Sequence, residues 1–104
     1  MKRVKRRYLA LKLDCETLPT ERELIDALWA SISRLFGEVG ASQTGLALIN
    51  LDVETRMAVV RVSLATLDMA RASFTAIISL AGKEASVHVL NVSGTLKALY
   101  SKFK

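Results

Sequence analysis

Three sets of residues in this chain have side chains that could do chemistry. The first is a nucleophile and a base, Cys15 and His88, each the sole residue of its kind. A thiol beside an imidazole can attack carbonyl or phosphoryl centres, but the imidazole needs a third group to orient it, and no signature surrounds either residue. Both read as structural. The second is the turn Ser93-Gly94-Thr95. It joins a β-branched run, VLNV, to a helical one, TLKAL. Backbone N–H groups at a helix start attract anions, and a glycine lets a phosphate come close to the backbone. A hydroxyl of Ser93 or Thr95 can instead cap those donors, and the cap is the simpler reading. The third is a set of cations. Lys2, Arg3, Lys5, Arg6 and Arg7 crowd the start of the chain, and Lys97, Lys102 and Lys104 crowd its end. Each Lys or Arg that neutralises a phosphate releases a counterion and adds affinity without sequence choice. The alternative is a solvated arm and a helix kept soluble by lysines.

No paired acid and base and no cysteine–histidine cluster accompanies these residues, so neither a catalytic residue nor a metal ligand is assigned. A single cysteine excludes an internal disulfide and a cysteine-based zinc cage. The 104 residues carry 15 Lys+Arg against 10 Asp+Glu, a formal charge of +5, which favours a polyanionic partner without naming one. At 51% hydrophobic residues, the chain can build one sizeable core. No apolar run approaches the ~20 residues of a membrane span. The start is basic and its apolar part is short and broken by Lys12, which makes a poor signal peptide. A cytoplasmic protein with no membrane partner is the expectation.

The elements that would position these groups follow from periodicity. RRYLALKLD alternates, with Leu9, Leu11 and Leu13 on one face and Tyr8, Ala10 and Lys12 on the other: a strand over 7–14. Thr20 and Glu23 form a capping box. Leu24, Leu28, Ile32 and Leu35 then recur at helical spacing, widened by Ile25, Trp29 and Phe36, and Gly37 closes the helix. Two β-rich runs flank Asp52-Val53-Glu54-Thr55 as a hairpin. In its second strand, 56–65, Ala58, Val60, Val62 and Leu64 share one face; Met57, Val59, Arg61 and Ser63 share the other. A second helix is predicted from a Thr66 cap to Gly82, burying Leu67, Ala70, Phe74, Ile77, Ile78 and Ala81. A fourth strand, EASVHVLNVS, and a short helix over 95–104 complete the chain.

This order, β-α-β-β-α-β plus a terminal helix, is the ferredoxin-like plan, an α+β two-layer sandwich. The chain is expected to be one domain, with 1–5 as a basic arm. Right-handed crossovers put both helices on one sheet face. The other face is then open to the last helix or to a partner. The apolar residues Leu96, Leu99, Tyr100 and Phe103 need a surface, and self-coverage is the simpler outcome. Tyr8, Met57, Val59, Leu99, Tyr100 and Phe103 are otherwise the candidate partner interface. RMAVVRVS has no aromatic and Tyr8 is the only one expected on that face, which argues against base stacking of the kind found in RNA-recognition modules.

The fold does not choose a function. A small-molecule regulatory module would place its effector near a glycine-rich turn after the first strand, but DCETLPT contains no glycine. A small hydrolase on this fold needs an anion-gripping loop between the first strand and the first helix, and that stretch has no arginine before Arg22.

Together, RRYLALKL, LFGEVGAS, MAVVRVS and VLNVSGTLKAL, in this order and spacing over residues 6–99, resemble protein component 2 of archaeal ribonuclease P, a small-subunit family shared with the eukaryotic enzyme. The resemblance implies a ferredoxin-like sandwich inside a ribonucleoprotein that removes the 5′ leader of precursor tRNA. It implies that the catalyst is the ribonuclease P RNA with its Mg²⁺, that this chain binds no cofactor of its own, and that it supports the catalytic RNA domain. It further implies pairing with protein component 3 and association with other ribonuclease P proteins, two such pairs joining through a homodimer contact into a heterotetramer. The matching positions are Arg7, Tyr8, Phe36, Gly37, Arg61, Ser93, Gly94, Thr95 and Lys97. For Phe36 and Gly37, packing and a helix end are the simpler roles. The candidate RNA contacts are Lys5, Arg6, Arg7, Arg61, Ser93, Gly94, Thr95 and Lys97; Arg61 stands equally as a partner ion pair.

Overall fold

The structure is a computed structural model that describes residues 5–101. The strands are β1 (Arg6–Cys15), β2 (Ala47–Asp52), β3 (Met57–Ser63), β4 (Ser79–Leu80) and β5 (Lys83–Ser93). The helices are α1 (Glu21–Gln43), α2 (Leu67–Thr75) and α3 (Leu96–Ser101). The sheet order is β2-β3-β1-β5-β4, with every neighbouring pair antiparallel. Setting aside the short β4, this is the ferredoxin-like order, with β1 and β3 inside.

Alternation in β1 divides the molecule into two unequal layers. Leu9, Leu11 and Leu13 face the main core, where Leu24, Leu28 and Ile32 of α1 and Ala70 and Phe74 of α2 meet Val60 and Val62 of β3. Both long helices therefore lie on one face. Ser31 and Ser73 sit between them, and the Ser31 hydroxyl donates to the Ser73 carbonyl at 2.6 Å, which satisfies the buried hydroxyl. The capping box at the start of α1 is complete: the Glu23 amide donates to Thr20 Oγ1 at 3.1 Å, and the Thr20 amide donates to Glu23 Oε1 at 2.9 Å. The β2–β3 connection is tied by Asp52 Oδ1, which accepts from the amides of Glu54 and Thr55 at 3.0 and 3.4 Å.

Three expectations change. Gly37 does break α1, with φ 79° and ψ 168°, but helical residues resume and run on to Gln43. A conformation this extended and left of the ordinary map suits only glycine. Leu35 and Phe36, on the turn before the break, are exposed, as is Trp29, so the buried stripe is narrower than periodicity suggests. The second helix stops at Thr75 rather than at Gly82. Ala81 and Gly82 both have positive φ, 53° and 79°, and join β4 to β5 as a tight hairpin. Ile77 still enters the core, but Ile78 is 75% exposed. Leu64 belongs to a single 3₁₀ turn after β3, and Thr66 does not cap α2: its hydroxyl bonds Ser63 instead.

Candidate nucleic-acid interface at one end of the sheet

The start of β1 and the turn that opens α3 meet because β1 and β5 are antiparallel neighbours. Tyr8 pairs with Ser93, so the residues just before Tyr8 lie beside the residues just after Ser93. The Arg7 guanidinium lies against Gly94: a Cβ there would sit 3.6 Å from Arg7 Nη1. Arg7 Nη1 also donates to the Arg6 carbonyl at 2.9 Å, which fixes the head group. Lys5 and Arg6 are exposed, and the Lys5 carbonyl accepts from the Leu64 amide at 2.8 Å, anchoring the approach to β1. Lys97 is exposed on the first turn of α3. Among the described residues the only side-chain ion pair is Arg22–Asp26, so these cations have no carboxylate to neutralise them.

The turn itself is a cap. Thr95 Oγ1 accepts from the Ala98 amide at 3.2 Å, and the Ser93 hydroxyl accepts from the Thr95 amide at 3.4 Å. These bonds engage two of the donors that an anion would need. The turn thus serves to start α3, whose first turn carries the exposed Lys97, which makes cationic side chains the groups on offer.

On the outer sheet face, Arg61 of β3, Tyr8 of β1 and Ser93 of β5 form one cross-strand row. Arg61 is half-buried, and its Nε is buried with no hydrogen-bond partner. A buried donor left unmatched costs about 1–3 kcal/mol, so this arginine is held on the sheet face at a cost. Beyond this row, Ala10, Val59 and Leu99 form a second small core, flanked by Tyr8, Met57 and Leu96. Leu99 is fully buried and Val59 is 5% exposed. This corrects the partner-interface expectation for Leu99 and Val59, and largely for Tyr8 and Met57: α3 already covers them. Tyr100 stays 41% exposed, and Phe103 lies outside the described residues, as do Lys2, Arg3, Lys102 and Lys104.

The nucleophile–base pairing fails on geometry. Cys15 follows the core-facing parity of β1 and pairs with Ala85, whereas His88 pairs with Lys12 on the outer face and touches Ser86 Oγ at 3.2 Å. Among the described residues, no group of three His, Cys, Asp or Glu side chains is placed to hold a metal ion. Arg22, which a hydrolase would need as an anion grip, is solvent-exposed and paired with Asp26. No helix of the described residues is long and apolar enough to cross a membrane.

Sequence reasoning passed over Arg56. Its guanidinium donates to the carbonyls of Cys15 and Glu16, pinning the chain as it leaves β1. The available signal was its place at the end of the β2–β3 turn, where it takes φ 58°.

Comparison with known proteins agrees with this architecture. The model of the Rpp14/Pop5 family matches residues 7–104. Ribonuclease P protein component 2 of Methanosarcina mazei is 33% identical over 101 residues, covering 97% of this chain and 85% of that protein. The protein of the same name from Pyrococcus furiosus is also 33% identical, over 97% of this chain and 84% of its own. A chain in the cryo-EM structure of yeast ribonuclease MRP superposes with a TM-score of 0.74, covering 99% of this chain and 94% of that one at 16% identity, a likeness of fold. The matched span takes in both the basic start of β1 and the α3 turn that meets it, and on these grounds the chain belongs to the Rpp14/Pop5 family of ribonuclease P proteins.

Proposed function

We propose that this chain is a non-catalytic, RNA-binding subunit of ribonuclease P that stabilises the catalytic RNA during removal of the 5′ leader from precursor tRNA. The observation that carries the reading is Arg7 lying against Gly94. That contact sets the cations that begin β1 against the turn that opens α3, three residues before Lys97, and no carboxylate among the described residues pairs with these cations. An uncompensated cluster of this kind suits a phosphate backbone. Lys5, Arg6, Arg7 and Lys97 would offset repulsion where RNA strands crowd, and the half-buried Arg61 would add its positive charge on the outer sheet face.

The mechanism is electrostatic and architectural. Side chains held by strand pairing and by a capped helix present fixed positive charge, so the RNA needs less Mg²⁺ to reach its cleavage-competent form. The Mg²⁺ belongs to the RNA. The protein partners in this reading are component 3 and the other ribonuclease P proteins, with two copies of this chain meeting inside a heterotetramer, and the compartment is the cytoplasm.

The test is binding to structured RNA across a salt series, followed by cleavage in the reconstituted enzyme. Replacing both Arg7 and Lys97 by alanine should lower the slope of log K against log salt by about 1–2, as expected for one or two lost phosphate contacts. It should also raise the Mg²⁺ needed for half-maximal cleavage. An unchanged slope together with an unchanged Mg²⁺ requirement overturns the assignment of these residues. Cleavage of precursor tRNA by the protein without RNA overturns the non-catalytic reading.

A further inference from the structure

At the opposite end of β1 from the basic cluster lies an open groove of about 1090 Å³. Its floor is Cys15, Ile77 and Ala85, and Ile78 stands on its wall. Ile78 is the most exposed large hydrophobic side chain among the described residues, at 75%. It is also firmly placed, since its carbonyl accepts from the Ala85 amide at 3.0 Å. The same isoleucine borders a second depression of about 300 Å³ against Ala30 and Arg34 of α1, so one apolar projection serves two adjoining hollows. A large aliphatic held in water on a tethered hairpin marks a contact surface more readily than a mobile tip would.

The rim has the opposite charge to the other end of the molecule. Asp14, Glu16 and Glu84 border the groove with a single cation, Lys83. None of the three carboxylates is in an ion pair within the described residues, and the nearby Arg56 is committed to the Cys15 and Glu16 carbonyls. Asp14 and Arg7 are seven residues apart on an extended strand, about 23 Å at roughly 3.3 Å per residue. That exceeds the Debye length of about 8 Å at physiological salt, so the two ends present independent fields. A nucleic-acid backbone is repelled here. A cationic segment with an aliphatic anchor is attracted.

We propose that this groove docks a lysine- or arginine-bearing protein segment whose aliphatic side chain packs on Ile78 between the Asp14, Glu16 and Glu84 carboxylates. RNA and a basic protein segment would then engage opposite ends of one sheet without competing. The proposal does not depend on the RNA reading.

The test uses the ¹⁵N-labelled full chain and the blocked peptide Lys-Arg-Ile-Arg-Lys, with Glu-Asp-Ile-Asp-Glu as the control. The cationic peptide should give saturable amide shifts clustered at Ile78, Glu84, Ala85 and Ser86. It should also slow alkylation of Cys15 by iodoacetamide. The double variant Glu16→Lys, Glu84→Lys should weaken binding at least about tenfold, about 1.4 kcal/mol. Ile78→Ser, at an exposed position that leaves the core intact, should weaken it as well. Absent or scattered shifts, equal shifts with the anionic peptide, or full affinity in the variants overturn the proposal. So does an RNA hairpin that shifts these same amides.

Discussion

The two faces of the sheet are built on different scales. On one, three leucines of β1 meet two helices and both neighbouring strands in a single continuous core. On the other, Ala10, Val59 and the one fully buried side chain of a six-residue helix make a separate patch. The first face supplies most of the folding free energy, since each fully buried leucine or phenylalanine contributes about 1.5–3 kcal/mol. The second works as a latch. It is too small to hold the fold together, yet it fixes α3, which carries Lys97 and follows directly on the Gly94 turn that Arg7 touches. The basic end therefore rests on the weaker layer.

The comparison breaks if the thick layer yields no more than the thin one. Phe74 is fully buried at the centre of the main core, and Phe74→Ala should cost about 3–5 kcal/mol in urea unfolding, with loss of the whole cooperative transition at modest denaturant. Leu99 is equally buried but sits in the latch, where the helix can detach while the sandwich stays folded. Leu99→Ala should cost only about 1–2 kcal/mol globally, because local undocking limits the loss. Its clearer signature is selective: amide exchange in α3 should rise towards that of an open segment while β1 remains protected. Equal loss of protection in both elements would mean that the layers form one cooperative unit.

A smaller perturbation sharpens the same point. Thr95→Ala removes the hydroxyl that caps α3 and should cost about 1 kcal/mol, confined to that helix. If the turn's role is to hold Lys97 in place, RNA affinity should fall in this variant although no charge is lost. Full RNA affinity with a frayed α3 would separate the cap from the basic cluster.

How much of this was legible in the sequence depended on what each residue answers to. The alternation of Leu9, Leu11 and Leu13 and the Thr20–Glu23 box are local patterns with one physical solution, and both appear as read. The apposition of Arg7 and Gly94 followed from topology, since placing the first and last strands side by side brings the start of β1 to the turn that opens α3. The partner surface was misread because Leu99 and Val59 satisfy each other, and pattern alone does not distinguish an apolar stripe that finds its own chain from one that awaits another. Ile78 was misplaced for a different reason. Ile77, Ile78 and Ala81 fit a helical period as well as a strand, and the deciding signal was the pair Ala81-Gly82, which suits a two-residue hairpin.

That hairpin provides the mildest test and bears on where the thick layer ends. Ala81 has φ 53°, a left-handed conformation that costs a residue with a Cβ about 1–2 kcal/mol. Ala81→Asn keeps a side chain, so the unfolded chain gains little freedom, and asparagine accepts this conformation far better than alanine does. The variant should gain about 0.5–1 kcal/mol, read as a higher urea midpoint with an unchanged m value. Ala81→Gly relieves the same strain but enlarges the unfolded ensemble, and should gain less. If helix α2 extended through this segment in solution, the sign would reverse: both substitutions would destabilise, glycine more than asparagine, because each is a poorer helix former than alanine. The sign of two conservative changes thus decides between the hairpin that exposes Ile78 and the helix that would bury it.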